Sequence, residues 1–390
     1  MRSLAEGGRR FRSHGAIVGN RDAGQAPRSP ANRLRIAIIS HFLPTEGRKG
    51  GGVDCVAHDL AEGLARRGHS VVVWSYNPKP EGASYVVRPL PFRSVAISKW
   101  GQRLLMGYFG NFLPLLLDLR AADALVAHGD SMFLPLLGKP VVRIMHGSSL
   151  AEALFATSAW RKVNCLGMYL QELVAGLTIP GCVAVSQNTR YHNGFVRRVI
   201  PNGIDTSLFS PAPTAKTKAP SILFVGTLQG RKRGHLLLRW FEQEILPRCP
   251  GATLWMVSEP GPQQSGVQYF NGIGRSQLAQ LYRQAWIYAS PSRYEGFGLP
   301  YVEAMASGTP VVASPNWGSR EVLGEGRFGV LADDDSFADA VKRLLDDSAE
   351  RQKWTDRGLE RAREYSHTTM IDRYEEVLLN LCGRERPSRA

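Results

Sequence analysis

Short, continuous apolar runs of strand length, separated by glycine-bearing turns and helical periodicity, occur in two series along this chain and leave few folds open to it. Residues 34–40, 70–75, 124–128, 141–146 and 182–186 form the first series, and 221–227, 253–258, 286–290 and 310–314 the second. Runs that are apolar along their whole length suit strands covered on both faces, and the helical patterns at 53–67, 235–246 and 276–283 supply crossovers. Each series therefore predicts a doubly wound α/β domain. Turn chemistry at Pro201-Asn-Gly-Ile-Asp205 and the proline-rich stretch 210–220 mark the passage from one series to the next. The expected division is a lead at 1–33, a first domain at 34–205, a second at 206–366, and a helix and tail at 367–390. Two α/β halves of similar size imply a cleft between them that closes on its ligand.

The most pointed chemistry lies in the second series, in the run Glu295-Gly-Phe-Gly-Leu-Pro-Tyr-Val-Glu303. It leaves the carboxyl end of a short strand, where ligands bind in open α/β sheets. Pro300 suits the opening of a helix, so Glu295 is expected on the loop and Glu303 on the helix. The free backbone N–H groups near Gly298 and Leu299 then offer a place for a phosphate. Two carboxylates that accept hydroxyl hydrogen bonds, with a diphosphate site between them, describe a nucleotide-sugar. After Glu303, a short helix is expected to end at Gly308 before the strand at 310–314.

Other features narrow the class. Gly51 and Gly52 lie between the first strand and the first helix, but no complete G-x-G-x-x-G and no phosphate-loop sequence is present, which weakens dinucleotide and P-loop readings. The net charge of +14 suits anionic company: a nucleotide diphosphate, an anionic membrane surface or nucleic acid. No zinc-ligand spacing or RNA-binding aromatic motif accompanies that charge, so no nucleic-acid partner is expected. Five scattered cysteines without Cys-x-x-Cys spacing read as reduced thiols of a cytoplasmic protein. The arginine-rich lead has no apolar core of a signal peptide and reads as a disordered basic tail, although an organelle transit sequence or a misassigned start would look alike. Residues 98–120 mix aromatics, leucines and basic groups and could lie on an anionic membrane bearing a lipid-linked acceptor, or pack in the core. The tail alternates helical segments at 336–346, 350–364 and 368–381. The run Asp333-Asp-Asp335 before Ser336 is expected to serve helix capping and the helix dipole, not a metal.

Together the Glu295-x7-Glu303 run with Gly-Phe-Gly-Leu-Pro inside it, Gly51-Gly52, Pro-Asn-Gly-Ile-Asp at 201–205, and Phe224-Val-Gly-Thr227 before a basic cluster resemble retaining glycosyltransferases of the GT-B fold. That group includes bacterial phosphatidylinositol mannosyltransferases and polysaccharide-assembly enzymes. The resemblance implies two Rossmann-like domains facing a central cleft, with C-terminal helices returning toward the first. It implies that Glu303 holds the nucleotide ribose, Glu295 the donor-sugar hydroxyls, and backbone N–H groups around Gly298 and Leu299 the diphosphate, with Gly296 and Phe297 also in the nucleotide-sugar site. Gly51 and Gly52 would let the first-domain loop come close to the donor, since glycine has no side chain. The family's arginine and lysine beside the leaving diphosphate would fall at Thr227 and Arg233, so Arg231, Lys232 and Arg233 are all candidates for that charge. His146 matches the family's active-site histidine, with His128 as its fallback.

The expected reaction moves a hexosyl group from a UDP- or GDP-linked sugar to the hydroxyl of a glycan or lipid-linked acceptor, with retention and without a metal or other cofactor. Its place would be the cytoplasm, including the inner face of the plasma membrane. A catalytically silent sugar-nucleotide or glycan-binding protein is the alternative.

Overall fold

The structure is a computed structural model, and it describes residues 32–45, 51–93, 110–129, 131–156, 158–212 and 215–384. The lead at 1–31 and much of the 98–120 segment thus lie outside the described residues.

The first lobe begins with β1 (Arg35–Ile39), α1 (Gly52–Arg66), β2 (Ser70–Ser75), β3 (Val86–Pro89), β4 (Ala124–Ala127) and β5 (Val141–Met145). It continues through α2 (Ser149–Phe155), α3 (Ala159–Thr178), β6 (Gly181–Ala184), α4 (Gln187–His192) and β7 (Arg198–Val199). Its strands pair in parallel in the order β3-β2-β1-β4-β5-β6-β7. The central strands β4, β5 and β6 are buried at every position, as their unbroken apolar runs require.

The second lobe contains β8 (Ser221–Val225), α5 (Gly234–Trp240), β9 (Thr253–Val257), β10 (Val267–Phe270), α6 (Arg275–Gln284) and β11 (Ile287–Ser290). Then follow α7 (Leu299–Ala306), β12 (Val311–Ala313), α8 (Trp317–Val322) and β13 (Val330–Leu331). The sheet is again parallel, in the order β10-β9-β8-β11-β12-β13. Because β8 and β11 are neighbours at the centre, the loops that follow them lie side by side at the strands' carboxyl ends. The helix expected at 235–246 breaks after Trp240 into a wide π turn, Phe241–Ile245. This brings Trp240, Phe241 and Ile245 all into the core, with Trp240 stacked on Phe337 at 4.9 Å.

The C-terminal helices are α9 (Phe337–Asp346), α10 (Ser348–Ala362) and α11 (His367–Leu381). Capping of α9 differs from expectation: the Ser336 side chain does not cap, and the Asp333 carboxylate instead accepts from the Ser336 N–H at 3.1 Å. Asp334 is taken up elsewhere, by Arg233. Capping of α11 is by Ser366, whose side chain accepts from the Thr369 N–H at 3.2 Å. That last helix crosses back to the first lobe. Glu375, fully buried, takes Arg67 at 2.7 Å and His69 at 3.0 Å, and this pairing makes burial of the carboxylate tolerable. The crossing is close enough that a Cβ on Gly63 of α1 would lie 2.0 Å from Ile371 Cδ1. The two passages of chain between the lobes meet where Ile204 bridges Ser366. Among the described residues all five cysteines are free, no helix is long and apolar enough to cross a membrane, and no group of three metal-ligating side chains occurs.

Candidate active site

The loop between β11 and α7 carries Glu295 and is pinned by its glycines. Gly298 sits in the left-handed region at φ +107° just before α7, and a Cβ there would lie 2.4 Å from the Tyr301 ring, so only glycine fits. A Cβ on Gly296 would lie 2.4 Å from the carbonyl oxygen of His146, which shows how closely the loop approaches the first lobe. Pro300 occupies the second position of α7, where its missing N–H costs no helical bond.

Glu295 is only 5% exposed, and its carboxylate sits between two cations. Lys232 Nζ donates to Oε1 at 2.6 Å and Arg231 Nη1 to Oε2 at 2.9 Å, with Arg231 also donating to the Tyr294 carbonyl at 2.8 Å. Burial alone would push this carboxyl up, but Lys232 and Arg231 outweigh it and hold the group below its ordinary value. Glu303 is the opposite case. On the inner face of α7 it accepts from the Tyr282 hydroxyl at 3.1 Å, and burial pushes its pKa up despite nearby Arg275. The two carboxylates thus differ in basicity because only Glu295 has cations in direct contact.

The basic triplet divides. Arg231 and Lys232 face Glu295, whereas Arg233 turns the other way from a left-handed backbone at φ +53°. Its guanidinium is buried and fully engaged: Nε with the Pro291 carbonyl at 2.6 Å, Nη1 and Nη2 with both Asp334 oxygens at 2.7 Å, and Nη2 with Ser314 Oγ at 3.2 Å. Arg233 therefore braces the start of the Glu295 loop and is not placed to meet a ligand diphosphate. Thr227 is exposed and gives its hydroxyl to the Gln229 carbonyl at 2.8 Å. Phe297 packs its ring in the core against Tyr365, leaving only its backbone for a ligand.

From the first lobe, Gly51 and Gly52 sit at the start of α1, with the Gly51 N–H held by Asp54 at 2.9 Å. A Cβ on Gly52 would stand 3.3 Å from Leu299 Cδ1, so the glycine loop faces the start of α7 across the cleft. His146 follows β5 and stacks on His128, which follows β4, with ring centroids 5.1 Å apart and Nδ1 of His128 2.9 Å from Nε2 of His146. Burial pushes His146 down to about 4 and His128 well below its usual value. Both imidazoles are neutral at ordinary pH and act through hydrogen bonds, not charge.

Several residues of this site escaped the sequence reading. Ser186, Asn188 and Thr189 at the start of α4 reach across the cleft: Ser186 Oγ donates to the Gly296 carbonyl at 2.5 Å, Thr189 Oγ1 to the same oxygen at 3.4 Å, and Asn188 Nδ2 to the Glu295 carbonyl at 3.4 Å. In return, Glu321 of α8 accepts the Gln187 N–H at 2.9 Å, an acidic group on a helix N-terminus. The sole sequence signal was Ser186-x-x-Thr189 after a strand, a helix-start pattern confirmed by the 2.9 Å bond from the Thr189 N–H to Ser186 Oγ. A further contact across the lobes joins Asp59 of α1 to Arg275 at 2.7 and 3.1 Å and to His367 at 3.0 Å, and His367 and Arg275 together overcome burial to bring Asp59 down to about 2.

Two parallel-sheet lobes face each other, and their strand ends bring together a buried carboxylate, paired cations and a glycine loop. Comparison with known proteins agrees. Residues 50–208 match the family "Glycosyltransferase Family 4", and residues 219–347 match "Glycosyl transferases group 1". The chain is 29% identical to the MMP alpha-(1->4)-mannosyltransferase of Mycolicibacterium hassiacum, over 85% of this chain and 94% of that protein. Against other curated relatives, named for mannosyl or inositol-phosphate glycosyl transfer, it spans about half their length. Its fold is that of sucrose-phosphate synthase from Thermosynechococcus elongatus, with TM-score 0.74, 20% identity, and coverage of 90% of this chain and 100% of that one. Anabaena HepE, solved with UDP and glucose, superposes with TM-score 0.67 at 18% identity, covering 89% and 99% of the two chains. Each lobe thus matches a glycosyltransferase family, and the fold is that of the GT-B glycosyltransferases.

Proposed function

We propose that the protein transfers a hexosyl group from a UDP- or GDP-linked sugar to a hydroxyl of a glycan or glycolipid, with retention of configuration and no divalent metal. The observation that carries this reading is Glu295 held between Lys232 and Arg231 at the cleft-facing ends of β8 and β11. As the bond from the sugar's anomeric carbon to the diphosphate oxygen breaks, negative charge grows on the leaving group. Lys232, Arg231 and the N–H groups that open α7 are arranged to stabilise that charge. The acceptor oxygen attacks from the same face, and its proton passes to the departing phosphate oxygen, so atoms and charge balance without a protein base. Neutral His146 hydrogen-bonds a donor hydroxyl, Glu295 orients others, and Glu303 holds the ribose. Gly51 and Gly52 admit the donor close to the first-lobe backbone.

The acceptor side favours a membrane-apposed site. Along α3, Val163, Leu166, Leu170 and Leu177 are exposed on one stripe, with Trp160, Arg161 and Lys162 at its start. Asn111, in the 3₁₀ segment Gly110–Leu116 that exposes Phe112 and Leu116, bonds Gln171 of α3 at 2.7 Å, so these apolar groups belong to one region. A helix with an apolar outer face and basic neighbours suits an anionic lipid surface. Sedimentation with anionic vesicles at low salt should be lost on combining Leu166→Glu with Leu170→Glu; retention of the wild type in the supernatant would remove the membrane from the reading.

The deciding experiment is a screen of UDP- and GDP-sugars for thermal stabilisation and for nucleotide release. One donor should stabilise the protein and turn over slowly by hydrolysis, faster with acceptor. Binding without turnover across all acceptors offered would convert the reading to a silent sugar-nucleotide binder, and no binding at all would end it.

A further inference from the structure

At the β6/β12 end of the interlobe groove a cavity of about 560 Å³ opens between α4 of the first lobe and α8 of the second. Its volume falls within the roughly 300–1,000 Å³ usual for ligand sites. Two features set its chemistry. Tyr191 and Trp317 stack across the lobe boundary with ring centroids 5.3 Å apart and planes 21° from parallel, yet they remain 70% and 48% exposed. Such a pair, left open to water, forms an apolar platform whose edges carry a hydroxyl and an indole N–H. The charged lining is balanced: Arg190 and Arg320 stand against Glu321 and Glu325, with Arg320 already paired to Glu325 at 2.9 Å and Glu321 spent on the start of α4. No net field remains to attract a phosphate or carboxylate, so the site suits a neutral ligand with an apolar face and many hydroxyls.

The cavity also touches the reaction centre. Asn188 lines it and donates to the Glu295 carbonyl, while Gly318, beside Trp317, lies so close that a Cβ would stand 2.7 Å from Glu295 Cβ. We propose that this cavity is a carbohydrate subsite, taking a pyranose ring of a glycan acceptor remote from the hydroxyl that is glycosylated. The inference rests on the proposed transferase function and deepens it: the acceptor is an oligosaccharide, not a lone sugar or a bare lipid headgroup. The C–H face of the ring lies on the Trp317 and Tyr191 platform, and its hydroxyls meet the Arg190 guanidinium and the Gln187 amide, which are joined to each other by a long 3.4 Å bond. Because the platform is built from both lobes, a bound glycan also favours their closed arrangement.

The test uses the full chain and tryptophan fluorescence, titrated with manno-, gluco- and galacto-tetraoses and with the corresponding methyl glycosides, alongside UDP and GDP. A tetraose series should give a saturable change that the methyl glycoside gives at least tenfold more weakly. That change should fall at least tenfold in affinity for Tyr191→Ala, which keeps the Trp317 reporter, and vanish for Trp317→Ala; thermal melts establish that both variants are folded. If nucleotide binds and no tetraose responds, or if the response survives unchanged in both variants, the subsite is refuted and the transferase reading stands. If neither nucleotide nor saccharide binds, both fall together.

Discussion

Replacing Glu295 by glutamine should separate two quantities that a simple loss of structure would move together. The carboxylate now neutralises Lys232 at 2.6 Å and Arg231 at 2.9 Å, and the Lys232 side chain is only 14% exposed. The amide keeps the shape and one acceptor oxygen but removes a negative charge from the site proposed to receive the donor's diphosphate. A carboxylate about 7 Å from a phosphate repels it by about 2 kcal/mol at an effective dielectric of about 20. Relief of that repulsion, together with two cations no longer neutralised, should tighten nucleoside diphosphate binding about tenfold or more, since about 1.4 kcal/mol is a factor of ten. Turnover should move the other way. The glutamine no longer fixes the cations in place or orients sugar hydroxyls as a charged acceptor, and loss of one preorganised electrostatic group typically costs about 10²–10³ in rate. Calorimetric titration of UDP and GDP gives the first number, and nucleotide release with saturating donor the second. A variant that turns over within threefold of the wild type, or that binds nucleoside diphosphate more weakly, would refute the role assigned to this carboxylate.

Other perturbations test separate parts of the argument. His146, with its pKa near 4, and His128, pushed well below its usual value by burial, bind fewer protons folded than unfolded. Their contribution is therefore fully present above the unfolded value of about 6.5 and is lost as pH falls, by about 1.4 kcal/mol per pH unit for each group. Urea midpoints at pH 7.5 and 5.5 should show this slope, and it should shrink in the His128→Asn, His146→Asn double variant; an unchanged slope there contradicts it. Arg233→Ala removes the bonds to Pro291, Ser314 and Asp334 and should destabilise by about 2–3 kcal/mol, whereas Arg233→Gly should cost about 1 kcal/mol less because φ is +53°. Equal losses for the two would show that the left-handed backbone carries no strain. Gly296→Ala puts a methyl 2.4 Å from the His146 carbonyl and should lower turnover about a hundredfold by displacing the loop, with donor hydrolysis as the assay; near-normal rates would show that this approach of the lobes is dispensable.

What the sequence disclosed follows from what each residue meets. Strands such as 141–146 were legible because burial on both faces demands an unbroken apolar run. The edge strands β3 and β10 were not, because with one flank and much of their side-chain surface open they carry mixed residues such as Arg88 and Gln268. The long helix α3 was hidden for a different reason: leucine and valine on its outer stripe blur the periodicity that burial of one face would create. Glu295 and Glu303 were found through the glycines and proline that frame them. The division of 231–233 was not, since a single left-handed residue decides which cation turns toward the cleft. Least legible were the cross-lobe bonds of α4, whose partners lie 107 to 134 residues away in the chain.

Those distant bonds bear most directly on how the site works. The Glu295 loop is grown by the second lobe, but its two backbone carbonyls at 295 and 296 are held by Ser186, Asn188 and Thr189 of the first, and its glycine lies against the His146 carbonyl. The cations and carboxylate meet within the second lobe, and His146 joins them only where the lobes meet. Dividing the support of this loop between lobes is the arrangement that would tie completion of the proposed site to closure of the cleft. Polar anchors suit that task better than an apolar seam, because water can replace each of these hydrogen bonds when the cleft reopens, whereas separated apolar surface would have to be hydrated at a cost proportional to its area.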